Sequence, residues 1–122
     1  MHLPTNSIGV PLVLLLAALV GCIPIEPTCT LEARASLGVT VVDDTGAGID
    51  DAIVTASLEG GETKTCESTG GGGYFCDFFE VEGTFVVTAT RGGASDSASV
   101  DVAGDACHVE TEAVELVLPA DA

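Results

Sequence analysis

Thr84-Phe85-Val86-Val87-Thr88-Ala89-Thr90-Arg91-Gly92-Gly93, followed closely by Ser97-Ala98-Ser99-Val100-Asp101-Val102, decides the fold class. In the first segment Phe85, Val87 and Ala89 alternate with Thr84, Val86, Thr88 and Thr90. In the second, Ala98, Val100 and Val102 alternate with Ser97, Ser99 and Asp101. A period of two places alternate side chains on opposite faces of a strand, and the glycine pair between the segments is a turn signal. The segments predict two adjacent strands, each with one apolar and one polar face.

The same pattern extends in both directions. Leu37, Val39 and Val41 alternate with Gly38, Thr40 and Val42, and end in the turn Asp43-Asp44-Thr45-Gly46-Ala47-Gly48. Ala52, Val54, Ala56 and Leu58 alternate with Ile53, Thr55 and Ser57, closed by Gly60-Gly61. Residues 63–67 and 74–78 flank the glycine run Gly70 to Gly73, and Val114, Leu116 and Leu118 form a last strand before Pro119. About seven short strands separated by turn signals predict an all-β antiparallel sandwich. No segment after residue 21 carries a helical apolar stripe.

Composition agrees. The 122 residues include 15 glycines, and charged residues make up only 18%. Three Lys+Arg against 19 Asp+Glu leave a net charge of −16. Nucleic acid is therefore not expected as a partner, because phosphate binding needs clustered cations and the chain offers Arg34, Lys64 and Arg91 alone. The core must be thin, since four phenylalanines, one tyrosine and no tryptophan serve about 85 residues.

The amino-terminal segment differs from the rest. Ile8 to Val20 is apolar apart from Gly9 and Pro11, and all acidic residues follow Gly21. The run is too short to span a bilayer comfortably and suits the apolar region of a secretory signal. Leu19-Val20-Gly21-Cys22 resembles the lipobox of bacterial lipoproteins. That resemblance implies cleavage after Gly21 and acylation of Cys22. It divides the chain into a signal peptide (1–21), the lipidated Cys22 with a short tether (22–33), and a domain (34–120). No Lys or Arg precedes the apolar run, which departs from the usual pattern. Ile23, where an aspartate retains some lipoproteins in the inner membrane, points to the outer membrane of a Gram-negative envelope.

Assigning Cys22 to lipid leaves Cys29, Cys66, Cys76 and Cys107, an even set for an oxidising compartment. If the segments around Gly71 pair antiparallel, Cys66 and Cys76 face each other at about 4.5 Å between Cα atoms, near the lower limit for a disulfide. Cys29 would then pair with Cys107. The spacings lack the closely spaced cysteine pairs of a four-cysteine zinc site.

A second resemblance covers residues 36–118. Gly38-Val39-Thr40-Val41-Val42-Asp43, Gly46 and Ile49-Asp50-Asp51-Ala52-Ile53-Val54 are similar to the opening of carboxypeptidase regulatory-like domains. Gly73-Tyr74-Phe75 and Gly83-Thr84-Phe85-Val86-Val87-Thr88-Ala89 are similar to that family's second half. The resemblance implies a transthyretin-like, immunoglobulin-like sandwich. It also implies an accessory or structural role without a shared catalytic site.

Candidate chemistry is sparse. Asp43, Asp44, Asp50 and Asp51 cluster around one turn and would suit calcium, or else hydrogen-bond their own backbone. Asp77, Glu80 and Glu82 are potential acid/base groups, but a sandwich of this size has little concavity to perturb them. His108 lacks the partner set for nucleophilic catalysis. Tyr74, Phe75, Phe78, Phe79 and Phe85 fall within twelve residues. Most should be core, with Tyr74 or Phe79 exposed and able to stack on a sugar. The sequence therefore predicts a non-enzymatic, cofactor-free, lipid-anchored envelope module whose partner is a protein or a glycan, the alternative role being carbohydrate binding.

Overall fold

The computed structural model describes residues 29–121, so the segment expected to be a signal peptide (1–21) and Cys22 lie outside the described residues. Seven strands follow in order: β1 (Leu37–Val42), β2 (Ile53–Leu58), β3 (Thr63–Gly70), β4 (Gly73–Phe75), β5 (Gly83–Arg91), β6 (Ala94–Val102) and β7 (Glu112–Val117). The described residues contain no helix.

The strands form one sheet in the order β6-β5-β2-β3-β4-β1-β7. The sheet bends at β3. Residues 63–66 of that strand pair with β2, while residues 67–70 pair with β4, so one strand serves both layers. The end strands β6 and β7 come together. The Val117 N–H donates to Asp96 Oδ2 at 2.9 Å, and this side-chain bond occupies an edge donor of β7. The result is an all-β domain close to a closed barrel.

One pairing departs from the antiparallel expectation. β1 and β7 run parallel, in register from Leu37↔Glu112 to Val42↔Val117. A parallel pair needs a long connection, and here the whole of the intervening domain supplies it. Local alternation carries no information about which strand from the far end of the chain will lie alongside β1.

The inward residues follow the period of two. Phe85, Val87 and Ala89 on β5 and Val54 and Ala56 on β2 line one layer, while Leu37, Val39 and Val41 on β1 and Val114 and Leu116 on β7 line the other. Phe78 packs edge-on against Phe85, with ring centroids 4.9 Å apart at 71°. Each fully buried large apolar side chain is worth about 1.5–3 kcal/mol, so these few rings matter in a thin core.

The glycine hairpin is tighter than the sequence suggested. Strand structure reaches Gly70 and resumes at Gly73, with a register shift between Ser68 and Gly70. Gly72 sits at φ +87°, and a Cβ there would meet the Val41 carbonyl oxygen at 2.6 Å and Gly48 Cα at 2.8 Å. Close backbone approach explains glycine at both Gly48 and Gly72.

Candidate functional site

Two disulfides tie the domain. Cys66 and Cys76 continue the β3–β4 register set by Glu67↔Phe75, and their Cα atoms are 4.3 Å apart. Cys29 bonds to Cys107 across 78 residues of sequence, with Cα atoms 5.1 Å apart. The second bridge anchors the amino-terminal approach to the loop before β7.

That loop is built by Asp105. Its Oδ1 accepts the N–H groups of Cys107 at 2.8 Å and His108 at 2.9 Å, and these bonds hold its carboxyl below the ordinary Asp value. His108 is thereby aimed at Glu80, and its Nδ1 bonds to Glu80 Oε2. Glu80 Oε1 accepts the Val109 N–H at 2.8 Å, and the Glu80 N–H donates to the Arg34 carbonyl at 2.9 Å. The His108 bond, then the Val109 bond, hold the Glu80 carboxyl below its ordinary value. Glu80 adopts φ +56°, a left-handed conformation that costs a non-glycine residue energy and that these bonds retain. His108 Nε2 lies 2.8 Å from Thr30 Oγ1. Glu80 and His108 are thus joined to each other and to the chain entering the domain. His108 is half-buried, with Glu80 at one ring nitrogen and Thr30 at the other. No local sequence signal connects positions 28 residues apart.

The four turn aspartates do not converge. Asp43 Oδ1 accepts from Thr45 N at 2.8 Å, Thr45 Oγ1 at 2.6 Å and Ala47 N at 3.0 Å, and these bonds, led by the Thr45 hydroxyl, lower its carboxyl pKa. Asp50 Oδ1 accepts the Gly72 N–H at 2.6 Å, and Asp51 pairs with Arg91 Nε at 3.1 Å. Asp44 belongs to none of these bonds. No group of three or more metal-ligating side chains is gathered among the described residues. Of the two readings of this turn, the bonds seen are those of acids that engage their own backbone or separate partners: Asp43 its own turn, Asp50 the Gly72 amide and Asp51 the Arg91 guanidinium.

The placement of Tyr74 is corrected. It is 5% exposed, and its hydroxyl donates to the Ile49 carbonyl at 2.8 Å and accepts the Ala52 N–H at 3.0 Å. Alternation along β4 explains this: Tyr74 points into the core and Phe75 points out. Phe79 is 44% exposed and Phe75 36%. Their centroids lie 5.6 Å apart with an interplanar angle of 51°. Together with Lys64, Thr65, Glu67 and Asp77 they line an open cleft of about 560 Å³ at the bend of the sheet. Phe75 was expected in the core; a period of two puts Tyr74 and Phe75 on opposite faces but does not say which of them turns inward.

Within the cleft Lys64 is already engaged. Its Nζ donates to the Asp77 carbonyl at 2.5 Å and lies 4.9 Å from the centroid of the Phe78 ring. Its nearest carboxylate oxygens, on Glu62 and Asp77, are each 3.9 Å away. Glu67 stands directly opposite Phe75 across the β3–β4 pair, so one carboxylate and one ring share a face.

Compared with protein-family models and with curated proteins, the chain shows no match.

Proposed function

We propose that the chain is a non-enzymatic, lipid-anchored accessory module of the cell envelope, with the carboxypeptidase regulatory-like pattern as its domain type. The observation that carries this reading is the Cys29–Cys107 disulfide. It fixes the end of the tether to the domain, and it uses the cysteines left once Cys22 is assigned to lipid. Six residues separate Cys22 from Cys29, so the fully extended tether reaches about 25 Å. The domain would sit beside the bilayer, and its acidic surface would hold it off anionic headgroups. Ile23 favours the outer membrane. The bonding of Glu80 and His108 supports a structural role for that pair, because both ring nitrogens of His108 are engaged, Nδ1 by Glu80 and Nε2 by Thr30.

The test is acyl labelling. Cys22→Ala is expected to abolish both incorporation of labelled fatty acid and partitioning into the detergent phase. Retention of both would overturn the anchor.

A second reading, binding of envelope carbohydrate, is favoured by the exposure of Phe79 beside Phe75. It predicts glycan-array binding that is lost in Phe79→Ala.

A further inference from the structure

The cleft at the bend of the sheet combines features that suit a particular kind of ligand. Two exposed phenylalanine rings form a V, and carboxylates of Glu67 and Asp77 line the same space. Aromatic faces attract cations through the ring quadrupole, and an adjacent carboxylate adds a charge-assisted partner. Lys64, which lines the cleft, already makes such a contact on its inner side, its Nζ lying 4.9 Å from the centroid of the buried Phe78 ring. That internal ammonium is committed to Phe78 and to the Asp77 carbonyl, and among the described residues no cation lies over the Phe75 or Phe79 ring. The net charge of −16 raises the local concentration of cations around such a cleft.

We propose that the Phe75–Phe79 cleft receives a basic side chain, arginine or lysine, presented by a partner protein. The proposal deepens the accessory-module reading and rests on it for the existence of a partner, but not on the lipid anchor. Charge complementarity selects the occupant. A guanidinium stacks on a ring and donates to a carboxylate at once. A neutral sugar would leave the charge of Glu67 unused. An ammonium headgroup of the bilayer arrives with a phosphate that the acidic chain repels.

The experiment uses the full chain in a polyoxyethylene detergent, titrated with Nα-acetyl-arginine amide and followed by NMR. The expected result is a saturable shift of Phe75 and Phe79 resonances that weakens as salt is added. Nα-acetyl-citrulline amide, of nearly the same shape but uncharged, is expected to leave these resonances unmoved. Glu67→Gln and Phe79→Leu alter exposed side chains, and each is expected to weaken binding about fivefold while retaining the wild-type spectrum elsewhere. Equal response to the citrulline probe, absence of a saturable shift, or indifference to both substitutions would overturn the proposal. So would perturbation by methyl glucoside or phosphatidylcholine vesicles without any by the arginine probe. Because Cys22→Ala leaves the cleft intact, loss of the anchor and loss of cation binding are read separately.

Discussion

Glu80 and His108, 28 residues apart, are joined through Oε2 and Nδ1, and this pair clamps the loop between β4 and β5 to the loop before β7. An ionised carboxylate only accepts, so Nδ1 carries the hydrogen of the bond to Glu80, while Nε2 lies 2.8 Å from the Thr30 hydroxyl oxygen. The carboxyl of Glu80 is held below its ordinary value of 4.5 by His108 first and the Val109 N–H second. A carboxyl depressed on folding contributes stability above its unfolded pKa and loses it as pH falls through its folded pKa. Asp43 and Asp105 are depressed from 3.8 in the same direction. The melting temperature should therefore hold steady from neutrality to about pH 5 and fall below it. Glu80→Gln should lower the plateau and flatten the acid limb in circular dichroism melts. Acid limbs of equal depth in the two proteins would show that the clamp contributes nothing to folding.

Tyr74 anchors the segment leading into β2 through its hydroxyl. Removing that oxygen in Tyr74→Phe leaves the Ile49 carbonyl and the Ala52 N–H without this partner, at a cost of about 1–3 kcal/mol. Urea unfolding should detect this as a lower midpoint, and Phe75–Phe79 ligand binding should not change. A midpoint equal to that of the wild type would count against the burial of this hydroxyl.

Ser36 is a fully buried polar residue. Its Oγ donates to the Val81 carbonyl at 2.8 Å and accepts the Val81 N–H at 3.0 Å, which pins the segment carrying Phe78 and Phe79 beside β1. Ser36→Ala is expected to destabilise by about 1–3 kcal/mol and to speed amide exchange at Val81. Unchanged exchange at Val81 would contradict the pinning.

The two disulfides should contribute unequally. On the chain-entropy model, the 10-residue separation of Cys66 and Cys76 is worth roughly 2–3 kcal/mol, and the 78-residue separation of Cys29 and Cys107 roughly 4–5 kcal/mol. Stability of the Cys66→Ala/Cys76→Ala and Cys29→Ala/Cys107→Ala variants in guanidinium should follow that order. The intact protein should show no free thiol among these four positions by mass analysis.

Gly48→Ala tests the close approach of the hairpin. Its Cβ would meet the Gly71 carbonyl oxygen at 2.5 Å, and both atoms at fault are backbone or bonded directly to it. Destabilisation of about 1–3 kcal/mol is expected, as for other overpacked sites. Gly38→Ala, with open space around it, should be far milder.

Much of the domain is legible in the sequence. Phe85, Val87 and Ala89 face inward because a strand has a period of two, and one buried face leaves the register no freedom. The Cys66–Cys76 pair followed from symmetry about Gly71, since a hairpin constrains residues close in sequence. The clustering of Asp43, Asp44, Asp50 and Asp51 is legible as composition but leaves their partners open, because side-chain direction depends on individual backbone bonds within the turn. Tyr74 and Phe75 are adjacent, and the sequence contains no term for which of the two would face the core.

Short-range geometry thus determined the strands, their inward faces and the hairpin disulfide, because alternation and turn chemistry act over a few residues. Tertiary structure alone decided the bend at β3, the parallel β1–β7 pair, the Glu80–His108 clamp and the exposed Phe75–Phe79 pair. Each of these depends on contacts between distant segments, whose meeting is set by the closure of the whole sheet and leaves no periodic trace in the chain.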